Sequence, residues 1–258
     1  MSFWLPCRLA AMPTSFTFTA TSAACVGPPD RQFFMGGVAM AAAVAAAEEA
    51  TGKPLLWATM QFVSGGMLGD RVDIDVDPRG GRNIVQVGVT SRVEGRLVQD
   101  MVAALGARDG FPETRFIEMP EVAAPAACSP KPDDKFAQDG NMLAQFERRT
   151  AFEDNSTGAE YMWVRPVARS QVTAPLLALT SDFFLGAHPL SRGGTSLDNT
   201  VRLHALRQTE WILCATQLSA IGNGAIHGTM LQFAEDGTLL ATSSQTGLLP
   251  RLPVNTSR

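Results

Sequence analysis

The segment 36–50, GGVAMAAAVAAAEEA, restricts the possible folds more than any other part of this chain. It consists mostly of strong helix formers, and Gly52 follows it as a helix stop signal. Because the segment has no polar face before its two glutamates, the predicted helix has to be buried almost completely, for example inside a sheet that wraps around it. Gly36 and Gly37, at its start, would let another backbone approach closely.

Strand-like runs follow this helix and are separated by turn residues. VDIDV and IVQVGVTS alternate apolar and polar side chains as half-buried strands do, and DPRGG and VEGR are typical of hairpin turns. The predicted strands are 55–63, 71–76, 83–91 and 97–105. The first part of the chain therefore reads as one buried helix followed by an antiparallel meander.

The same pattern restarts after a stretch that contains five prolines, 107–150, which we interpret as a long linker on the surface. A helix is predicted over 171–184, and strands are predicted at 159–167, 195–204, 211–217, 225–233 and 239–245. Aligning Gly95 with Gly237 also superimposes 83–91 on 225–233, which indicates an internal duplication. The expected organisation is an N-terminal lobe, 1–106, the linker, and a C-terminal lobe, 151–258, that carries the site.

Composition narrows the function classes. The net charge of −4 is spread along the chain without a basic block, so nucleic acid is not an expected partner. The four cysteines lie far apart, with no CxxC pair and no Cys/His cluster, which argues against a zinc or redox site and favours reduced thiols in the cytoplasm. No apolar run reaches 18 residues, so no membrane span is expected. A signal peptide at the mildly apolar N-terminus is the less favoured alternative.

Five segments resemble acyl-CoA thioesterase II and its relatives. They are FFMGGVAMAAAVAAA at 33–47, MPEVAAPAACSP at 119–130, SLDNTVRLH at 196–204, WILCATQLSAIGNG at 211–224 and EDGTLLATSSQTGLL at 235–249. The resemblance implies an α+β double hotdog, in which each of two tandem lobes has a long helix wrapped by an antiparallel sheet. It is strongest after residue 195.

In that family an aspartate, a threonine or serine, and a glutamine activate a water molecule that attacks the thioester carbonyl. The resemblance places the aspartate at Asp198, the glutamine at Gln245 and the hydroxyl at Ser219, with Thr216 as the alternative after a one-residue shift. The chemistry fits these residue types: a carboxylate can act as general base, and a hydroxyl and an amide can hold the same water. His188, His204 and His227 are scattered, so a Ser-His-Asp triad has little support.

The sequence also departs from the family pattern. Asn199 replaces a histidine beside Asp198, Arg202 replaces an aromatic residue, and the first lobe is expected to carry no catalytic base. Gly36, Gly37 and Arg202 are the candidate substrate-binding residues. The phosphates of coenzyme A could also meet Arg82 or Arg92. Coenzyme A would be part of the substrate, and no metal or other cofactor is implied.

The prediction from sequence is therefore a cytoplasmic, homodimeric enzyme that hydrolyses acyl-CoA to free acid and CoA. The alternative is a hotdog protein that binds acyl-CoA or acyl chains without hydrolysing them. A hydratase on the same fold is a second rival, but it would need a catalytic histidine paired with a carboxylate on the central helix, and neither predicted helix provides one.

Overall fold

A computed structural model describes residues 7–8, 13–108, 110–112, 114–132 and 138–251. Two α-helices are present in this part of the chain, α1 (Gly36–Thr51) and α2 (Ala174–Ser181). The strands are β1 (Cys7–Arg8), β2 (Ser15–Thr19), β3 (Cys25–Val26), β4 (Phe33–Phe34), β5 (Leu55–Phe62), β6 (Arg71–Pro78), β7 (Ile84–Val93), β8 (Arg96–Gly106), β9 (Ser129–Pro130), β10 (Phe146–Asp154), β11 (Ala159–Pro166), β12 (Thr195–Leu203), β13 (Ile212–Gly222), β14 (Ala225–Ala234) and β15 (Leu239–Leu248).

Thirteen of these strands form one antiparallel sheet. Its order is β1-β2-β6-β7-β8-β5-β12-β15-β14-β13-β11-β10-β9, so the two halves of the chain meet where β5 pairs with β12. On either side of this junction the strands follow in matching order, because β8, β7 and β6 lead away from β5 as β15, β14 and β13 lead away from β12. The strand order on the two sides of the junction is therefore the same, as the predicted internal duplication requires.

Helix α1 is buried along almost its whole length, as its composition requires. Ten of its sixteen residues are buried, and it packs on strands β2 and β5 to β8 of the first half and on α2 of the second. It ends at Gly52, which adopts the left-handed conformation at φ 64° and donates its N–H to the Glu48 carbonyl. Both the prediction of a helix here and the prediction of its burial are confirmed.

Helix α2 is shorter than the predicted 171–184. It begins after Thr173, whose side chain accepts a hydrogen bond from the Leu176 N–H, and Pro175 occupies its first turn. The chain then tightens into a 3₁₀ turn, Asp182–Gly186, before β12. This turn brings a single carboxylate, that of Asp182, against the N-terminus of α1.

The predicted linker contains more structure than its prolines suggest. Strand β10 begins inside it, at Phe146, and pairs with both β9 and β11. Proline-rich chain at 119–128 packs on a second small core around Trp163 and Trp211, and the Trp163 indole N–H donates to the Ala123 carbonyl. The sequence pattern hides this packing because the segment has no periodicity of its own.

Two further properties of the described residues bear on function. None of their helices combines the length and apolar character that a membrane crossing needs. Within the same residues, no group of three or more His, Cys, Asp or Glu side chains could hold a metal ion. Cys25, Cys128 and Cys214 are buried free thiols.

Candidate active site

A cavity of about 440 Å³ lies at the N-terminal end of α1 and takes walls from both halves of the chain. Its lining is mostly apolar, with aromatic side chains from β4, β5 and the turn after α2. The apolar lining includes Val26, Phe33, Phe34, Met35, Phe62, Val63, Met142, Met162, Phe183 and Leu185. Asp182 and Ser196 also line it, and a cavity of this size with few polar groups is typical of a small-molecule site.

Three polar side chains form a closed cluster at this cavity. The Gln245 side-chain amide donates to Asp182 Oδ1 at 2.7 Å and to Ser196 Oγ at 2.8 Å. Ser196 Oγ in turn donates to Asp182 Oδ1 at 3.1 Å. Asp182 and Gln245 are buried, and Ser196 is half-buried. Asp182, Ser196 and Gln245 are named the acidic cluster below.

The N-terminus of α1 completes this cluster. The Gly37 backbone N–H donates to Asp182 Oδ2 at 2.6 Å, so the helix dipole also favours the carboxylate. A Cβ atom at Gly37 would lie 2.8 Å from the Asp182 Cβ and would collide with the Leu179 carbonyl oxygen. At Gly36 a Cβ atom would lie 3.0 Å from Asp182 Oδ2 and 3.0 Å from the Phe62 ring. The two glycines are therefore required for the close approach that the sequence predicts.

Burial and hydrogen bonding act on Asp182 in opposite directions. Burial disfavours the charged form and raises the pKa of the carboxyl from 3.8 to about 6, whereas the hydrogen bonds from Gln245, Gly37 and Ser196 lower the pKa and limit the rise. The group is therefore mostly ionised at neutral pH but accepts a proton far more readily than an exposed aspartate. These are the properties expected of a general base.

A β-bulge explains why Ser196 belongs to this cluster. In a regular strand Ser196 and Asp198 would face the same side of the sheet. The register of β12 against β15 shifts between these residues, with Ser196 opposite Gly247 and Asp198 opposite Thr246. The extra residue turns Ser196 to the side that carries Gln245 and leaves Asp198 on the other side.

The structure brings together only part of the predicted trio. Gln245 lies in the acidic cluster, but the Asp198 carboxylate accepts a hydrogen bond from the Thr246 N–H at 2.9 Å and does not contact Gln245. Ser219 is exposed on the bulge of β13, two strands away from β15. Its alternative, Thr216, is buried but does not line the cavity. The carboxylate and the hydroxyl nearest to Gln245 are those of Asp182 and Ser196.

The candidate substrate-binding residues do not all lie at the cavity. Gly36 lines the cavity and Gly37 bonds to Asp182, whereas Arg202 is exposed and does not line the cavity. Arg202 follows the same alternation as Asp198 and so points to the opposite side of the sheet from Asn199. The Asn199 amide donates to Ser181 Oγ at 2.8 Å inside the core, so it supports α2.

Comparison with known proteins is consistent with this geometry. The sequence has no match among curated proteins. The family model of the acyl-CoA thioesterase C-terminal domain matches residues 125–249. The solved structure of a candidate thioesterase from Novosphingobium aromaticivorans is 30% identical, with a TM-score of 0.90 over 95% of this chain and 98% of that one. This chain belongs to the acyl-CoA thioesterase II-like family. It is a thioester hydrolase.

Two more distant structures define the fold of this thioesterase. A protein described as having a hotdog fold, from Alicyclobacillus acidocaldarius, is 20% identical with a TM-score of 0.81 over 97% of each chain. An acyl-CoA thioesterase II from Mycobacterium marinum is 17% identical with a TM-score of 0.74 over 99% of this chain and 98% of that one. The fold is therefore of the hotdog type.

The cavity of the thioesterase also has charged lining residues, which sequence reasoning did not identify. Lys131, from the proline-rich segment, forms an ion pair with Glu160 of β11, and both side chains are less than one-tenth exposed. Burial raises the pKa of Glu160, and the ammonium group of Lys131 opposes that rise. Arg148 and Arg192 line the same cavity and are half-buried. The cavity therefore has charged side chains in its wall as well as apolar ones.

Proposed function

We propose that this thioesterase hydrolyses acyl-CoA with a water molecule that Asp182 activates and that Ser196 helps to hold. The observation that carries the proposal is the acidic cluster itself: one buried carboxylate, one hydroxyl and one amide joined by hydrogen bonds at the wall of an apolar cavity. Because this cluster is complete, we favour hydrolysis over the alternative of acyl-CoA binding without turnover.

The reaction follows from the protonation state of Asp182. A water molecule in the cavity donates a hydrogen bond to the carboxylate and is oriented by Ser196 Oγ, which lowers the entropy cost of the encounter. Asp182 takes a proton as the water oxygen bonds to the thioester carbon. When the carbon–sulfur bond breaks, the proton returns to the departing thiolate, so thioester and water become carboxylic acid and thiol.

Gln245 has a positioning role in this proposal. Its amide donates to both Asp182 and Ser196, so it fixes the angle between the base and the hydroxyl. It lies behind the two groups and does not line the cavity. The Gly36 N–H at the start of α1 lines the cavity and is the candidate donor to the carbonyl oxygen, where negative charge develops.

We also infer that the two halves of the chain, 1–106 and 151–258, are hotdog lobes related by the duplication. The register supports this pairing: Asn199 lies opposite Gln245 between β12 and β15, and Ala58 lies opposite Ala103 between β5 and β8. Gly95 and Gly237 both have left-handed backbones, and Ala103 and Gln245 each follow eight residues later.

By this correspondence the first lobe has lost the polar groups of the site. The bulge of β5 against β8 lies between Leu55 and Trp57, as that of β12 lies between Ser196 and Asp198. Leu55 therefore occupies the place of Ser196, and Ala103 that of Gln245. Neither side chain can hold a water molecule by hydrogen bonds, which supports the prediction of one site per chain.

A pair of matched substitutions tests the proposal. Thiol release from acyl-CoAs of short, medium and long chain is measured for the wild type, Asp182→Asn and Asp198→Asn. We expect Asp182→Asn to lose about 10²- to 10⁴-fold in kcat, the usual contribution of a general base. Asp198→Asn keeps an oxygen that can accept from Thr246 and should stay within about two-fold of the wild type. An active Asp182→Asn with an inactive Asp198→Asn would reverse the assignment.

A further inference from the structure

Gln99 is the one residue of the cavity lining, among the described residues, whose buried side-chain amide has no hydrogen-bond partner. It lies on β8 in the first half of the chain, is 4% exposed and lines the cavity. Its Oε1 has no partner, and no residue donates to or accepts from the rest of its amide. Burying an unpaired amide destabilises the folded state, so a protein retains one where something else depends on it.

Other buried glutamines of the core show what structural amides do here. The Gln245 amide donates to two partners in the acidic cluster, and the Gln232 amide donates to the Leu177 carbonyl at 3.1 Å and to Thr180 Oγ1 at 2.7 Å. Each of these side chains holds elements of the fold together. Gln99 makes no such hydrogen bond, and it lines the cavity.

The position of Gln99 relates it to the acidic cluster. Gln99 pairs with Phe62 across β8 and β5, and the Phe62 ring is the group that would lie 3.0 Å from a Cβ atom at Gly36. Asp182 Oδ2 would lie at the same distance, 3.0 Å, from that Cβ atom. Adjacent strands are about 4.8 Å apart, so Gln99 lies about one strand beyond the aromatic ring that flanks the reaction centre.

The surroundings of Gln99 indicate which part of the substrate it meets. The lining nearest to it is mostly apolar. It includes Phe62 at the end of β5 and Val63 in the loop that follows, together with Ser64. The Phe34 N–H donates to the Gly66 carbonyl of the same loop. Besides Asp182, the charged lining residues come from the second half of the chain and the segment before it, and they are Lys131, Arg148, Glu160 and Arg192. An acyl chain suits the apolar wall, and the nucleotide of coenzyme A does not.

We propose that Gln99 is a specificity-determining residue that hydrogen-bonds an oxygen substituent, a hydroxyl or a keto group, on the acyl chain. An amide can donate to a keto oxygen and can donate to or accept from a hydroxyl, so both substituents satisfy it. An unsubstituted chain leaves the amide unpaired in the complex. The enzyme then prefers an oxygenated acyl group to the plain chain of equal length. This inference rests on the proposed acyl-CoA hydrolysis.

The test compares hexanoyl-CoA with its hydroxylated and keto derivatives. The hydroxyl is placed at each chain carbon from the second to the sixth and the keto oxygen at each from the second to the fifth. The value of kcat/KM is then measured for the wild type, Gln99→Met and Gln99→Leu. We expect at least one derivative to be preferred by the wild type. Its advantage over hexanoyl-CoA, expressed as the ratio of the two kcat/KM values, should fall about 3- to 10-fold in both variants, the value of one neutral hydrogen bond.

Ser91→Ala is the matched control. Ser91 lies directly opposite Gln99 on β7 and is buried, but it does not line the cavity. Its removal should leave the ratio between derivative and plain chain unchanged. The melting temperature separates a structural role from a specificity role, because an apolar residue in place of an unpaired amide should not lower it.

The outcomes distinguish this inference from the proposed function. If hexanoyl-CoA is hydrolysed and the ratio is the same in the wild type and both Gln99 variants, the role of Gln99 is refuted and the hydrolase stands. If no CoA ester is hydrolysed, calorimetric binding of the same esters gives the ratio instead. The ratio then compares the dissociation constants of the substituted ester and of hexanoyl-CoA. The same ratio in the wild type and both Gln99 variants refutes the inference. A ratio that changes in both variants supports recognition of the substituent by Gln99.

Discussion

Replacement of Asp182 by asparagine should stabilise the protein while it removes activity. Burial raises the pKa of this carboxyl from 3.8 to about 6, so the folded protein binds the proton more tightly than the unfolded chain does. At a pH above both values the buried charge then costs about 3 kcal/mol, since a ten-fold change in proton affinity corresponds to about 1.36 kcal/mol. Asparagine is never charged and avoids this cost.

The hydrogen bonds of the acidic cluster determine how much stability the Asp182→Asn variant gains when it avoids the buried charge. Asparagine keeps one oxygen that can accept from the Gly37 N–H, but its NH₂ group would oppose the Gln245 amide nitrogen. Gln245 can rotate its amide, because its Oε1 is buried without a partner and would then accept from asparagine. We therefore expect a net gain of about 1–3 kcal/mol at pH 8, or about 2–4 °C in Tm for each kcal/mol.

The pH dependence provides the sharper measurement. Between about pH 4 and pH 6 the wild type should lose stability as the pH rises, because the folded state gives up the proton that it prefers to keep. Above pH 6 the loss is complete, and below about pH 4 both states are protonated and the cost disappears. Urea unfolding of both proteins at pH 4 and pH 8 measures the difference. The reasoning is wrong if the variant is no more stable at pH 8, or if its advantage is as large at pH 4.

Three other perturbations have defined outcomes. The rate profile kcat/KM against pH should rise with unit slope and level off above about pH 6, because Asp182 must be ionised to act as base; a flat profile from pH 5 to 8 would contradict this. Gly37→Ala should cost about 1–3 kcal/mol in urea unfolding, because its Cβ collides with a backbone carbonyl, whereas Gly222→Ala meets open space and should cost far less. Lys131→Met should lower the free energy of unfolding by about 3–5 kcal/mol, because it leaves Glu160 buried and unpaired. Adding Glu160→Gln to this variant should recover part of the loss. Equal stability of the single and double variants would argue against the ion pair.

The helices and strands could be predicted from the sequence where the local composition determines which residues are buried. Helix α1 has no polar face, so its burial follows from its residues alone, and the strands after it alternate as half-buried strands do. Gln245 was also identified as a candidate, because the segment around it resembles the matching segment of the family. Its buried partner was not, since that residue comes from a different element.

The contacts of Asp182 and Ser196 with Gln245 could not be predicted from the sequence, for two separate physical reasons. Asp182 lies in LLALTSDFFLGA, where the apolar spacing indicates a core helix, and its role depends on contact with the N-terminus of α1, 145 residues earlier. One signal was available: a single carboxylate in a run of buried apolar residues is expensive unless it is paired. Ser196 precedes Asp198 by two residues, so alternation predicts that they share a face, and no local pattern reveals the bulge that separates them.

The geometry makes the acidic cluster dependent on both halves of the chain, although its three side chains come from the second half. The second half provides Asp182, Ser196 and Gln245, but the N–H that bonds to Asp182 Oδ2 belongs to Gly37 of the first half. Without α1, the carboxylate would lose that donor and the burial that raises its pKa, and Asp182 would revert toward an ordinary aspartate. In the proposed mechanism the two halves therefore have unlike parts: the second half carries Asp182, the proposed base, and the first half supplies the helix terminus that packs against it. Residues 125–249, the part that the family model matches, should for this reason be inactive when produced alone, as measured by thiol release. Activity in that fragment would show that the contact with α1 is dispensable.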